Sequence, residues 1–226
     1  MARSYLAFDT SAAHCAAAFV QDGAVVLARS EPMQRGQAER LMPFLQEVLA
    51  EAGAGWGDLA GLAVGIGPGN FTGVRIAVAA ARGLALGLGV PAIGISTFEL
   101  MLDPDAPQAG DDLLITIPAP RDQIYAQRFR AGAASGAPWL IDLAEVPADL
   151  AAAAPAVVRG HRAGELADML GARAEEVAID DVALALGRRA AWRFGQPLDG
   201  ARPAPLYVRP PDAAPPSDPP PVILDA

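Results

Sequence analysis

The sequence predicts an α/β protein with a mixed sheet in its first half and a second, less regular α/β half. Three observations carry that prediction. Three strand-like apolar runs come first with no helix between them. Asp22-Gly23, a hairpin signal that needs positive φ, joins the second run to the third. Helix-like and strand-like runs then alternate up to about residue 100.

Taken in order, Tyr5 to Phe8 reads as a buried strand ending at Asp9-Thr10-Ser11, and His14 to Gln21 with Ala24 to Ser30 as the hairpin. A helix fits Gln37 to Ala52, with Leu41, Leu45, Val48 and Leu49 at helical spacing. Pro43 inside it predicts a later start or a kink. Leu59 to Ile66 is a fourth strand, Thr72 to Leu88 a second helix, and Pro91 to Ser96 a fifth strand followed by a short helix from Thr97. That order is a ribonuclease-H-like lobe, not the strict alternation of a doubly wound dinucleotide fold. Farther on, Leu113 to Ile117, Ile124 to Phe129 and Ala156 to Arg159 read as strands, and Ala163 to Leu170 and Val182 to Phe194 as helices. Ten of the 21 prolines fall from Pro197 onward, which predicts an extended surface run or disorder. The expected division is residues 1–100 as an N-terminal lobe, 101–209 as a smaller C-terminal lobe and 210–226 as a proline-rich tail. No internal repeat is visible.

Composition narrows the function classes. At 52% apolar the chain can build a real core. A net charge of −9 leaves at most a local basic patch, so transfer of nucleic-acid binding to partners is expected. The lone Cys15 excludes an intramolecular disulfide and suits a cytoplasmic location. No secretory signal is read, because Asp9 interrupts the first apolar run. Ile76 to Ser96 has the length of a membrane span, but Arg82 lies within it and Gly89-Val90-Pro91 breaks it; a buried helix and strand, and no membrane, are expected.

The most informative stretch is Gly65-Ile66-Gly67-Pro68-Gly69-Asn70-Phe71-Thr72-Gly73-Val74-Arg75. Glycines let a backbone approach closely or take positive φ, Pro68 stiffens the turn, and Asn70 or Thr72 can cap the next helix. The unpaired N–H groups of a helix start could also receive an anion. Neither a Walker loop nor a G-x-G-x-x-G fingerprint matches. A phosphate-binding turn and a ligand-free strand–turn–helix corner both remain open at this point.

On the segments Ala7-Phe8-Asp9-Thr10-Ser11, Arg40-Leu41-Met42-Pro43, the glycine loop through Ile76, Gly83-Leu84-Ala85-Leu86-Gly87 and Pro91-Ala92-Ile93-Gly94-Ile95-Ser96, the chain resembles the bacterial TsaB (YeaZ) family. Pro205-Leu206-Tyr207-Val208-Arg209 is a weaker echo of that family's C-terminal segment. The resemblance implies an actin-like (sugar-kinase, Hsp70 and actin) fold of two ribonuclease-H-like lobes. It also implies a non-catalytic scaffold that binds a TsaD-type catalytic paralogue and a TsaE-type ATPase. Together they threonylcarbamoylate adenosine 37 of transfer RNAs reading codons that begin with adenine, and the scaffold is expected to form a homodimer when alone.

The resemblance also implies candidate sites. No catalytic residue and no metal ligand is expected. Asp9, Thr10, Ser11, Gly67, Gly69, Asn70, Thr72 and Gly73 are candidate nucleotide or phosphate contacts, with ATP or ADP a candidate ligand at the level of the complex and no cofactor firmly implied. Asp9 reads equally as a strand-end carboxylate that satisfies nearby backbone N–H groups. Leu41, Leu45, Arg75, Ile76, Ala79, Arg82, Gly83 and Leu86 are the candidate partner interface, since relatives pair through the helices at 37–52 and 72–88. The alternative function, a free-standing ATP-dependent phosphotransferase, would have to clamp phosphates without lysine, which the chain lacks.

Overall fold

The computed structural model describes residues 3–102 and 112–208; Arg209 and the expected tail at 210–226 lie outside the described residues. A strand buried on both faces belongs at the centre of a sheet. That is where β1 (Ser4–Asp9) sits, buried at every position. With β2 (His14–Gln21), β3 (Ala24–Pro32), β4 (Leu59–Gly65) and β5 (Ala92–Ile95) it forms a sheet ordered β3-β2-β1-β4-β5. β1 runs antiparallel to β2 and parallel to β4. The hairpin turns on Asp22 (φ 49°) and Gly23 (φ 82°), the two positive values that a tight primed turn requires.

Helices α1 (Gln37–Glu51) and α2 (Phe71–Leu88) cover one face. Phe8, Phe19, Leu41, Phe44, Leu45, Val48, Leu62, Val64 and Val74 form the core beneath them. α1 starts at Gln37 and runs through Pro43, which faces outward, so the later start is not seen.

The second sheet contains β6 (Asp112–Pro118), β7 (Ile124–Arg130), β8 (Ala133–Ala134), β9 (Trp139–Ile141), β10 (Val157–Gly160) and β11 (Arg173–Glu175). Helices α3 (Ala148–Ala152) and α4 (Ala163–Leu170) accompany it. Read as β8-β7-β6-β10-β11, its order and strand directions repeat those of the first sheet, two antiparallel pairs followed by two parallel ones. The chain is thus a structural duplication that its sequence does not display. The strands β8, β9 and β11 and the five-residue α3 were not legible, because two to five residues are too few to show a period.

The last helix corrects the expected division. α5 (Val182–Phe194) does not stay with residues 101–181; it crosses back and covers the other face of the first sheet, against β1, β2 and β3. Gly187 makes this close approach possible, since a Cβ there would lie 2.7 Å from the Ala18 Cβ. Tyr5 and Phe194 stack with ring centroids 4.0 Å apart. Pro203 and Tyr207 also contact the first lobe, through Arg82 and Arg75.

Glu99, just after β5, fastens α5 to the inter-lobe connection. One of its oxygens accepts the Ser96 N–H (2.8 Å) and hydroxyl (3.0 Å), and the other accepts Arg193 Nη1 (2.9 Å). Arg189 lies beside it, 3% exposed, with its guanidinium 4.2 Å from the centroid of Trp192; burial lowers its pKa.

In the second lobe Arg128 is buried and donates from Nε to Asp112 Oδ1 at 2.6 Å, while Nη2 meets the other oxygen. The hydrogen bond from Arg128 holds the Asp112 carboxyl below its ordinary range. A carboxylate depressed in the folded state stabilises the fold above its unfolded pKa of about 3.9, and that contribution is lost as pH falls through the folded value. Asp112→Asn should therefore lower stability at pH 7 by about 1.5–3 kcal/mol, the scale of hydrogen bonds to charged groups. The difference between variant and wild type, measured by denaturant titration, should shrink as the pH is taken below 4.

Candidate functional site

The C-terminal ends of β1 and β4 meet at one point, and the glycine loop is built around that meeting. A Cβ on Gly65 would lie 1.7 Å from Asp9 Oδ2, one on Gly69 would lie 2.4 Å from the Ser11 carbonyl oxygen, and one on Gly73 would lie 1.9 Å from the Thr10 carbonyl oxygen. Gly69 and Gly73 thus let the loop press directly on the backbone of Thr10-Ser11, and Gly65 leaves room for the Asp9 side chain. Gly67, at φ 84°, supplies the left-handed conformation at the bend.

Hydrogen bonds close the same contact. Asn70 N–H donates to the Ser11 carbonyl (2.6 Å), and the Thr10 hydroxyl donates to the Gly73 carbonyl (2.7 Å). Asn70 is the helix cap: its Oδ1 accepts the Gly73 N–H at 2.9 Å. Thr72 is exposed in the first turn and takes no part in the cap. Thr97 holds the far side, with its N–H on the Gly67 carbonyl (2.9 Å) and its hydroxyl on that of Pro68 (3.1 Å).

Asp9 is 3% exposed. Its Oδ1 accepts the Ser11 N–H (2.8 Å) and hydroxyl (2.9 Å) and lies 2.8 Å from His14 Nε2. Here Asp9 satisfies its neighbours, as a strand-end carboxylate does. The structure therefore brings Asp9, Thr10, Ser11, Gly67, Gly69, Asn70 and Gly73 together, and they are engaged with one another. Among the described residues no three of His, Cys, Asp and Glu are grouped as metal ligands.

The expected partner residues divide. Leu41 (1% exposed) and Leu45 (0%) are corrected: they belong to the first lobe's core, because the apolar stripe of an amphipathic α1 points at its own sheet. Arg40, in the same segment, is held by Glu31 (2.8 Å) and Glu47 (2.7 Å). On α2 the inner stripe Gly73, Val74, Ala77, Val78 and Ala81 is buried, while Arg75, Ala79, Arg82, Gly83 and Leu86 are exposed and Ile76 is half-buried. Leu86 is 86% exposed. A cavity of about 770 Å³ adjoins this stripe, lined by Arg82, Leu86, Ile93, Leu198, Arg202 and Pro203 among others. α2 is the one helix among the described residues long and apolar enough to cross a membrane, yet its inner stripe is committed to the first core.

Sequence reasoning missed what the two arginines hold. Arg82 Nε donates to the Pro203 carbonyl (2.7 Å) and Arg75 Nε to the Tyr207 hydroxyl (2.8 Å). The proline-rich character of the later residues gave the signal for an extended run, but nothing in the pattern of residues told where it lies.

A family model described as TsaD: tRNA N6-adenosine threonylcarbamoyltransferase matches residues 31–156, more than half of the chain. The tRNA threonylcarbamoyladenosine biosynthesis protein TsaB of Escherichia coli is 44% identical over 96 residues, which are 42% of this chain and 41% of that protein. An uncharacterized protein of Mycobacterium tuberculosis is 34% identical over 155 residues, 66% of this chain and 72% of the relative. This chain belongs to the TsaB (YeaZ) family.

The match spans only about two fifths of the E. coli TsaB, but structural likeness reaches farther. YeaZ from Pseudomonas aeruginosa superposes with a TM-score of 0.64 at 26% identity, covering 91% of this chain and 99% of that one. A ROK hexokinase from Thermus thermophilus, 14% identical with a TM-score of 0.51, covers 85% of this chain and 97% of that one and shares the fold alone. The two duplicated lobes are those of the actin-like fold expected from the TsaB resemblance.

The glycines of this family signature separate by experiment. Gly73→Ala forces a methyl into the Thr10 carbonyl and should cost about 1–3 kcal/mol, the range of overpacked sites. Gly87→Ala, on the same helix with nothing within 4 Å of its added Cβ, should stabilise by about 0.5–1 kcal/mol through helix propensity. Chemical denaturation of the two variants checks both signs.

Proposed function

We infer that this chain is a scaffold subunit in tRNA threonylcarbamoyladenosine biosynthesis. It binds a TsaD-type catalytic paralogue, together with a TsaE-type ATPase, in the cytoplasm. It is required for threonylcarbamoylation of adenosine 37 in transfer RNAs reading codons that begin with adenine, and takes no catalytic part itself. The outer stripe of α2 carries this reading. Ala79, Gly83 and Gly87 leave room for a second helix to pack at the short end of the usual 8–10 Å axial separation. Leu86 then supplies the apolar contact, whose burial would contribute about 1.5–3 kcal/mol. The TsaD family model spans this same region, which supports a paralogue built on the same lobe as the occupant. Without the paralogue, a second copy of the chain meets the same stripe and gives a homodimer.

The site around Asp9 supports the non-catalytic part. Asp9 Oδ1 is taken up by the Ser11 N–H and hydroxyl and the loop packs closely on this turn, which supports assigning nucleotide chemistry to the complex and not to this subunit. A net charge of −9 supports transfer RNA being held through the partners.

Gly83→Glu and Leu86→Glu test the reading. Both positions are exposed, so the melting temperature should hold, with stability inside the roughly ±0.5 kcal/mol usual for surface changes. Desolvating an unpaired carboxylate in a helix pair should weaken TsaD binding by at least about tenfold, read by calorimetry. Retained binding by both folded variants would place the interface elsewhere. The chain alone, assayed with threonylcarbamoyl-adenylate and transfer RNA, should form no modified nucleoside; product above background would overturn the scaffold assignment.

A further inference from the structure

Residues 203–208 touch both lobes within six residues. Pro203 is buried; its carbonyl accepts Arg82 Nε, and its ring lies beside Gly94 of β5. Leu206 N–H donates to the Ile66 carbonyl at 2.8 Å, and the Leu206 carbonyl oxygen would be 3.7 Å from a Cβ on Gly67. Tyr207 turns outward, its ring centroid 5.3 Å from that of Phe71, with the Arg75 guanidinium 3.7 Å from the Phe71 ring centroid. Leu206 and Val208 pack against an apolar cluster that joins Phe98, Met101 and Leu102 of the connection to Leu113, Ile115, Ile117 and Phe129 of the second sheet.

The segment therefore runs from the first lobe to the cluster that reaches the second sheet, alongside the glycine loop. Backbone hydrogen bonding and two arginine contacts fix it to the first lobe, and apolar burial fixes it to the second. We propose that residues 203–208 are an intramolecular strap that holds the two lobes in one relative orientation, with Arg75 and Arg82 as its positioning residues. The strap is held to the two lobes by different chemistry. Each guanidinium gives a directed bond to an oxygen of the strap, while the aliphatic side chains cross to the other lobe, where no register is needed. The strap stands on these contacts alone and does not rest on the identity of any partner.

The test uses the full chain carrying Gln46→Cys on α1 and Asp168→Cys on α4, both exposed and one in each lobe, with spin labels for pulsed electron resonance. The wild-type strap should give a narrow inter-lobe distance distribution. Arg75→Ala with Arg82→Ala, which removes both anchors without entering either core, should broaden it. In hydrogen exchange the same variant should speed Leu206 and the segments Phe98–Leu102 and Leu113–Ile117 by about tenfold, while central β1 stays protected. Leu206→Asp, which attacks the second-lobe contact, should broaden the distribution in the same way; protection retained in β1 shows that this variant is folded. An unchanged distance distribution in the folded anchor variant, or faster exchange confined to residues 203–208, would overturn the proposal.

Discussion

Everything in the first lobe is referred to one contact, the pressing of the glycine loop's backbone onto Asp9-Thr10-Ser11. It sets where β4 ends, because Gly65 must clear Asp9, and where α2 begins, because Asn70 is tied to Ser11 on one side and caps Gly73 on the other. With its first turn fixed, α2 has a fixed rotation about its axis. One stripe enters the core and the opposite one is left facing outward. Any side chain at the three contacting glycines would separate the two chain segments, so proximity alone already requires glycine there.

The second lobe repeats this construction with different chemistry. Gly160, at the end of β10, stands opposite Thr116 of β6, and a Cβ on it would lie 2.0 Å from the Thr116 carbonyl oxygen. Where the first lobe presents the Asp9 carboxylate, the second has a buried hydroxyl that donates to the backbone, with the carbonyls of Arg159 (3.2 Å) and His161 (2.9 Å) in reach. The two lobes share a scaffold, and each directs its strand-end polar group into its own backbone.

Much of this was legible in the sequence, for reasons that can be named. α4 and α5 carry enough apolar residues at helical spacing to fix their ends, and β2 is a continuous apolar run bounded by polar residues. The Asp22-Gly23 turn announces itself because few residue pairs adopt two positive φ values. What stayed hidden is tertiary in origin. Helical spacing places Leu41 and Leu45 on one face of α1 but does not say whether that face meets its own sheet or another protein. Nor does the spacing of Arg75 and Arg82 on α2 say that they also have acceptors 132 and 121 residues away in the chain. The loop glycines were recognisable as a signature, yet an anion and a neighbouring backbone require the same absence of side chain.

The return of α5 to the first sheet has a consequence in time. A ribosome releases β1 to β5 early, but one face of that sheet has no cover until Phe194 has emerged. The second lobe, whose sheet is complete at Glu175, can close before the first lobe that precedes it. Contacts between β1 or β2 and α5 span well over 150 residues of chain, and long loops of this kind are slow to close. During synthesis the half-covered apolar sheet is the exposed surface, so the growing chain is most vulnerable to wrong pairing in its oldest part.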